Sequence, residues 1–268
     1  MGLTFTPIAL QTLTATVDYF HILLKGEIAT VPTEITLNQC LATGDPTWCS
    51  QIVRTPAGAL GGAAGNVAGG GYISQRDVNT GTALVSGLDL QVNHRLRLFG
   101  GWGALSASLT GTWLQHNASA PFRSAPSFDC AGLFGSTCLN GSVNPMWRQN
   151  LRVTWETPWN VQLSAQWRFI GRTSFDNNSS ASLLQYREEG FFDPVLTHIP
   201  SYSYLDLSAI WAVTPHVQIR AGVNNLLDKD PPLIPNTDIS GATSGIINTF
   251  PTYDVVGRDI FVAVRAMF

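Results

Sequence analysis

Val161-Gln162-Leu163-Ser164-Ala165-Gln166-Trp167-Arg168-Phe169 alternates without a break: Val161, Leu163, Ala165, Trp167 and Phe169 fall on one side of an extended chain, and Gln162, Ser164, Gln166 and Arg168 on the other. Successive side chains of a strand point to opposite faces, so this segment reads as a strand with one apolar and one polar face. The same period recurs in 12–23, 88–98, 105–114, 150–157, 205–213, 217–225 and 260–268. Each run is about nine to twelve residues long, the length a tilted strand needs to cross a bilayer.

The connections alternate in length. Long segments at 25–71, 115–146, 173–200 and 227–251 are interleaved with short turns at 100–103, 158–160 and 215–216. Outer-membrane barrels have this asymmetry, with long loops outside and short turns on the periplasmic side, whereas a soluble β-sandwich has no reason to sort its connections this way. The expected fold class is therefore all-β, a transmembrane antiparallel β-barrel, with a soluble β-sandwich binding module as the alternative.

Charged residues make up 12% of the chain, about half the usual globular share, which suits a wall with lipid on one face and Thr, Ser, Asn and Gln on the other. No apolar run approaches the roughly 18 residues of a spanning helix. The net charge of -3, without a basic stripe, excludes an electrostatic footprint for nucleic acid. The five histidines are scattered, no HExxH or GxSxG occurs, and the glycine-rich stretch 58–71 lacks the lysine of a phosphate-binding loop. No cofactor, metal site or enzymatic activity is expected.

The four cysteines form two local pairs, Cys40 with Cys49 and Cys130 with Cys138, each inside a long connection and without metal-like spacing. Disulfides stapling exposed loops fit an oxidising compartment; four free thiols in a cytosolic protein are the alternative. Met1 to Ala9 has none of the features of a signal peptide. Either a leader was removed or the chain begins within a larger protein, and eight full strands preceded by a stub at 3–6 favour the second expectation.

Near the end of the chain stand Ala221-Gly222-Val223-Asn224-Asn225-Leu226-Leu227-Asp228-Lys229-Asp230-Pro231-Pro232 and Tyr253-Asp254-Val255-Val256-Gly257-Arg258-Asp259-Ile260-Phe261-Val262, with a terminal Phe268. They resemble the last two strands of TonB-dependent outer-membrane receptors, which carry a GxxNLxDxxP segment, a YxxxGR segment and a final aromatic. Val17-Asp18-Tyr19-Phe20-His21-Ile22 resembles the family's DYFxI strand. Asn79-Thr80-Gly81 with Gly87-Leu88-Asp89-Leu90 resembles another, with Asp89 where Glu is usual. Cys40 to Cys49, followed by Ile52-Val53-Arg54 and Gly58, resembles a cysteine-bearing outer loop of such receptors.

The resemblance spans nearly the whole chain. It implies that 1–268 is the C-terminal part of a barrel of about 22 strands, roughly its last nine, with the plug domain absent. The complete protein would be an outer-membrane receptor of a Gram-negative bacterium for active, TonB-coupled uptake of a scarce ligand: a siderophore, cobalamin or a saccharide. A passive porin-like barrel is the runner-up. Implied partners are outer-membrane lipid, the barrel-assembly machinery, a small-molecule ligand and the TonB complex, the last through the missing plug. Without plug and earlier strands the chain alone is not expected to transport.

Ile260, Val262, Val264, Ala266 and Phe268 share one face and form the expected barrel-assembly signal. Trp113, Trp147, Trp155, Trp159, Trp167 and Trp211 suit an interfacial girdle, with sugar stacking as the sharper alternative. Arg152, Glu156, Arg168, Asp206, Arg220 and Arg265 fall on polar faces, because a charge facing lipid at mid-bilayer costs about 2 to 4 kcal/mol. The aromatics expected to meet ligand in the outer loops are Trp48, Phe128, Phe134, Tyr186, Phe191 and Phe192. Deletion of Phe268 should lower the amount of protein in the outer-membrane fraction on immunoblots. Undiminished assembly would reduce this side chain to ordinary packing.

Overall fold

Period-two alternation becomes a sheet in which neighbours in space are neighbours in sequence. The computed structural model describes residues 1–31, 33–60, 70–74, 77–120, 127–135, 138, 143–181, 184, 197–234 and 249–267. Nine strands follow one another across the main sheet: β1 (Gly2–Phe5), β2 (Leu13–Thr30), β3 (Asp77–Arg97), β4 (Ala104–Ala120), β5 (Trp147–Glu156), β6 (Val161–Ile170), β7 (Tyr202–Thr214), β8 (Val217–Asn224) and β9 (Asp259–Ala266). A short strand, Phe128–Asp129, adds to β4. The registered pairs β1 with β2, and β4 through β9, are all antiparallel. Among the described residues β1 and β9 end the sheet without pairing to each other, so the barrel is partial and not closed.

Several strands outrun the nine to twelve residues expected: β2 has 18, β3 has 21 and β4 has 17. The apolar alternation fades in Lys25-Gly26-Glu27 and in Asn79-Thr80-Gly81-Thr82, yet ladder hydrogen bonds need no apolar face once water is on both sides. The sequence pattern marks the part of the wall that needs an oily surface, and the ladder continues beyond it.

Two glycines mark close approaches. A Cβ on Gly87 of β3 would sit 2.2 Å from the Trp113 carbonyl oxygen and 2.7 Å from the Phe20 ring. Gly103, in the turn between β3 and β4, has φ of 87° and would meet the Glu156 carbonyl oxygen at 1.9 Å. A side chain at either must push backbone aside. Around that turn the indole N–H of Trp155 donates to the Trp102 carbonyl at 2.8 Å, and Trp159 makes edge contacts with both rings, at 5.9 Å and 6.2 Å. Trp155 and Trp159 thus lie beside the short turns, and Trp102 joins them.

The described residues divide into two compact units. In the one comprising Leu23–Leu84 and Ser119–Ser127, the segment expected to be a plain long loop contains α1 (Thr33–Thr43), α2 (Pro46–Cys49) and a small ladder of Ile52–Val53 with Tyr72–Ile73. Asp45 caps α2 by accepting the Thr47 N–H at 2.8 Å, which holds its carboxyl below the usual range, and Pro46 occupies the first turn. The Cys40–Cys49 disulfide ties α1 to α2.

In the other unit, Met1–Ile22, Val85–Ala118 and Phe128–Phe268, the long connections share a core. Phe134, Val143, Phe175, Ile199, Ile234, Phe250 and Tyr253 are buried with the strand residues Ile170 and Tyr204. A three-stranded ladder, Leu133–Phe134 parallel to Thr173–Phe175 and the latter antiparallel to His198–Ile199, joins two of the loops. The Cys130–Cys138 disulfide lies beside it, packed with Leu184, Phe128 and Leu133. Asp129 anchors this loop: its Oδ1 accepts the N–H groups of Asn117 and Ala131, at 2.9 and 3.0 Å, and its Oδ2 lies 2.6 Å from His116 Nδ1. Burial alone would raise the Asp129 carboxyl, but the Asn117 N–H, the His116 ring and the Ala131 N–H outweigh it and hold it below the usual carboxylate range.

A carboxyl depressed by folding contributes stability at neutral pH that is lost as pH falls through its folded value. The protection factors of the Asn117 and Ala131 amides, taken against the intrinsic rate at each pH, should hold near neutrality and fall as pH drops below the ordinary carboxylate range. Asp129→Ala should bring roughly tenfold faster exchange at pH 7, matching the loss of charge-assisted hydrogen bonds worth about 1.5 kcal/mol. Protection that ignores both changes would contradict the anchoring role. Gly87→Leu should deplete folded protein in membrane fractions while an exposed substitution such as Leu41→Ala does not, since Leu41 is 88% exposed.

Candidate ligand vestibule

The polar face of the sheet is where chemistry gathers, because the same alternation that turns Leu163, Trp167 and Leu207 outward turns hydrogen-bonding side chains the other way. Thr112 donates to Asp89 at 2.7 Å, Ser108 to Asn93 at 2.7 Å, and the hydroxyls of Thr154 and Ser164 meet at 2.8 Å. Arg152 pairs with Gln166 across β5 and β6, and Arg95 with Glu156 across β3 and β5. Arg152 and Glu156 thus sit on the polar face with these hydrogen-bonding side chains.

Arg168 is the hub. Its Nε and Nη2 donate to the two oxygens of Asp206 on β7 at 2.7 and 2.9 Å. Its Nη1 and Nη2 donate to the two oxygens of Asp254, in the last long connection, at 2.8 and 2.5 Å. The guanidinium also lies 4.8 Å from the Tyr204 ring centroid, and the Tyr204 hydroxyl accepts the Asp254 N–H at 3.3 Å. Two-pronged pairing is the geometry in which guanidinium and carboxylate bind most strongly, and all three side chains are only 14–25% exposed.

The two C-terminal motifs meet at this hub. Asn225, fully buried with φ of 50°, gives its N–H to Asp206 at 2.8 Å. Its amide accepts the Lys229 N–H and donates to the Lys229 carbonyl, both at 2.9 Å, closing the turn after β8. Asp228, also left-handed at 53°, accepts the Arg258 N–H at 2.9 Å. Asp228 of the first motif thereby holds Arg258 of the second, while Asn225 ties the first motif to Asp206. Beside them Tyr202, Tyr204 and Tyr253 cluster, and burial pushes the Tyr253 hydroxyl well above the ordinary phenol range.

Two polar cavities flank Arg168. One, of about 510 Å³, is lined by Asp18, Asp89, Thr112, Arg148 and Thr252 as well as Arg168. The other, of about 490 Å³, is lined by Gln166, Asp206, Asn224, Asp254 and Asp259 together with Arg168. Arg168 lines both, and Asp254 only the second. Among the described residues no three His, Cys, Asp or Glu side chains are grouped to hold a metal, and no helix is long and apolar enough to cross a membrane.

Of the aromatics expected to meet ligand, Phe134 requires correction as an exposed residue. It is 0% exposed and packs on Phe175 and Phe250 at 5.7 and 5.9 Å, because the loops bury their aromatics against one another. Phe128 and Trp48 are half-buried, Phe128 against the Cys130–Cys138 disulfide. Tyr186, Phe191 and Phe192 lie outside the described residues, as does Phe268. Ile260, Val262 and Val264 are 70%, 70% and 67% exposed on the outward face of β9, and Ala266 is exposed with them. The sequence marked Arg168 and Asp206 as facing the polar side, but not Asp254, which lies 86 residues beyond Arg168. The acidic residue after Tyr253 in the second motif is the signal that could have singled it out.

No curated protein sequence matches the chain. Solved structures do. The ferric enterobactin receptor mutant G324V from Pseudomonas aeruginosa superposes with a TM-score of 0.59 at 18% identity, covering 100% of this chain and 30% of that one. The siderophore receptor PirA from Acinetobacter baumannii gives a TM-score of 0.56 at 16% identity, covering 100% and 31%. The chain thus spans about 30% of the length of the structures it matches, and at these identities the likeness establishes the fold. A family model described as TonB dependent receptor-like, beta-barrel matches residues 2–226, which leaves the Tyr253-to-Phe268 segment outside the match. With the larger part of its length matched, and its strands arranged as in those receptors, the chain belongs to the TonB-dependent receptor β-barrel family, whose members are transporters and not enzymes.

Proposed function

We propose that the chain forms the C-terminal wall and outer loops of a receptor in the outer membrane of a Gram-negative bacterium, which takes up a scarce small molecule with energy delivered through TonB. The observation that carries this reading is the family match over 2–226. Among the candidate ligands a siderophore is favoured over cobalamin or a saccharide. Solved structures similar to this chain include a ferric enterobactin receptor mutant in complex with enterobactin and a siderophore receptor.

In this reading the apolar face of the strands meets lipid, and the polar face lines a lumen filled by a plug belonging to the rest of the receptor. The loop core around Phe134, Phe175 and Phe250 gives the vestibule a firm rim. Specificity comes from the few polar groups convergent beneath that rim, a common division of labour in ligand sites. The terminal stripe on β9 is the surface through which the barrel-assembly machinery recognises the chain.

Deleting the gene should abolish accumulation of radiolabelled iron supplied as a ferric siderophore to iron-starved cells, and an uncoupler of the inner membrane should do the same in the wild type. Accumulation that depends on the gene but survives the uncoupler would favour the passive porin-like barrel. Iron uptake that is indifferent to the gene would remove the siderophore from the proposal.

A further inference from the structure

We infer that Arg168 is an anion-binding residue of the vestibule, and that Asp254 is a built-in stand-in which an anionic group of the ligand, carboxylate-like or phosphate-like, displaces. The inference rests on the proposed receptor function and names a subsite within it.

The two carboxylates on Arg168 are not equivalent. Asp206 belongs to a ladder strand, and its Oδ1 also accepts the buried Asn225 N–H at 2.8 Å. Asp254 belongs to the non-strand segment between Phe250 and Asp259, and apart from Arg168 it is anchored by the 3.3 Å bond from its N–H to the Tyr204 hydroxyl. One guanidinium is neutralised by one carboxylate. Asp206 does this, so Asp254 brings a surplus negative charge held by hydrogen-bond geometry. Of the two, Asp254 is the one that can leave.

A replacement has somewhere to come from. Arg168 lines the cavity of about 510 Å³ together with Arg148. On the ladder Arg168 faces Asn150 and Ile170 faces Arg148, so Arg148 and Arg168 are diagonal neighbours on adjacent strands, about 7–8 Å apart at the backbone. Arg148 is exposed and has no carboxylate partner among the described residues. Two guanidinium groups on one face, neither ion-paired with the Asp18 and Asp89 carboxylates that line the same cavity, make a place for an anion with oxygens enough to bridge them. An intramolecular carboxylate competes at high effective concentration, so a ligand that touches Arg168 alone would lose to Asp254. One that also engages Arg148 gains the second contact it needs. Exchange then moves Asp254 off the hub and frees the segment that carries Val255 and Val256 at the lip of the second cavity.

Among the described residues no cysteine is free, and Val256 is 84% exposed, so Val256→Cys, compared with the unsubstituted receptor put through the same labelling, offers a reactive position for an environment-sensitive dye. The labelled receptor, purified as its gene encodes it, would be titrated with pyrophosphate and with succinate against sodium chloride of equal ionic strength. A saturable change with pyrophosphate or succinate, absent with chloride, is expected. Arg148→Gln should weaken it roughly tenfold. Asp254→Asn should show the released signal before any anion is added. Arg168→Lys, which keeps the charge but cannot present two forks, should abolish the response while β circular dichroism and membrane yield confirm folding. A chloride response equal to the others, a full response in Arg168→Lys, or an unreleased segment in Asp254→Asn would each overturn the inference. The titration needs no energy source and no siderophore, so it fails or succeeds independently of the uptake experiment.

Discussion

Everything in this wall depends on the obligation of each backbone N–H and C=O to find a partner where water is scarce. Side by side antiparallel strands meet that obligation without help from side chains, which leaves one face free to be oily and the other free to be chemical. The polar residues of the inner face are therefore not needed to hold the sheet together. Thr112, Asn93, Thr154 and Gln166 bond to their neighbours across strands, but the ladder beneath them would form without those contacts. That freedom allows one fold to present very different inner surfaces.

At Arg168 the freedom ends. Here a strand residue, a neighbouring strand and the last long connection are bound into one unit, and the two C-terminal sequence motifs acquire a physical meaning. Asn225 and Asp228 sit in left-handed conformations that short polar side chains tolerate better than others, and each uses its side chain to satisfy backbone groups that a turn would otherwise leave open. Asp228 holds Arg258, four residues past Asp254, whose carboxylate reaches the guanidinium.

The strands were legible because their period is local: Leu163, Ala165 and Trp167 declare a face within a few residues of each other. The alternation of long and short connections was legible for the same reason. Strand length was not, since the outer ends of β2 and β3 continue by backbone pairing that leaves no mark on the side-chain pattern. Nor was the shared core of the loops. Phe134 looks like any loop aromatic in sequence, and its burial depends on Phe175 and Phe250, which no local pattern connects to it. The hub lay between these cases. The polar side of Arg168 and Asp206 followed from alternation, whereas Asp254 reaches them only because the chain folds back over many residues.

The joint core beneath the outer loops carries a consequence for how such a surface can change over time. Loops that stand alone can be exchanged, lengthened or varied one at a time under pressure from phages and antibodies. Here the roots of three loops share Phe134, Phe175, Ile199 and Phe250, so a change at one root disturbs the packing of the others. Substitutions at these roots are therefore coupled to one another, while positions remote from the shared core are free of that constraint.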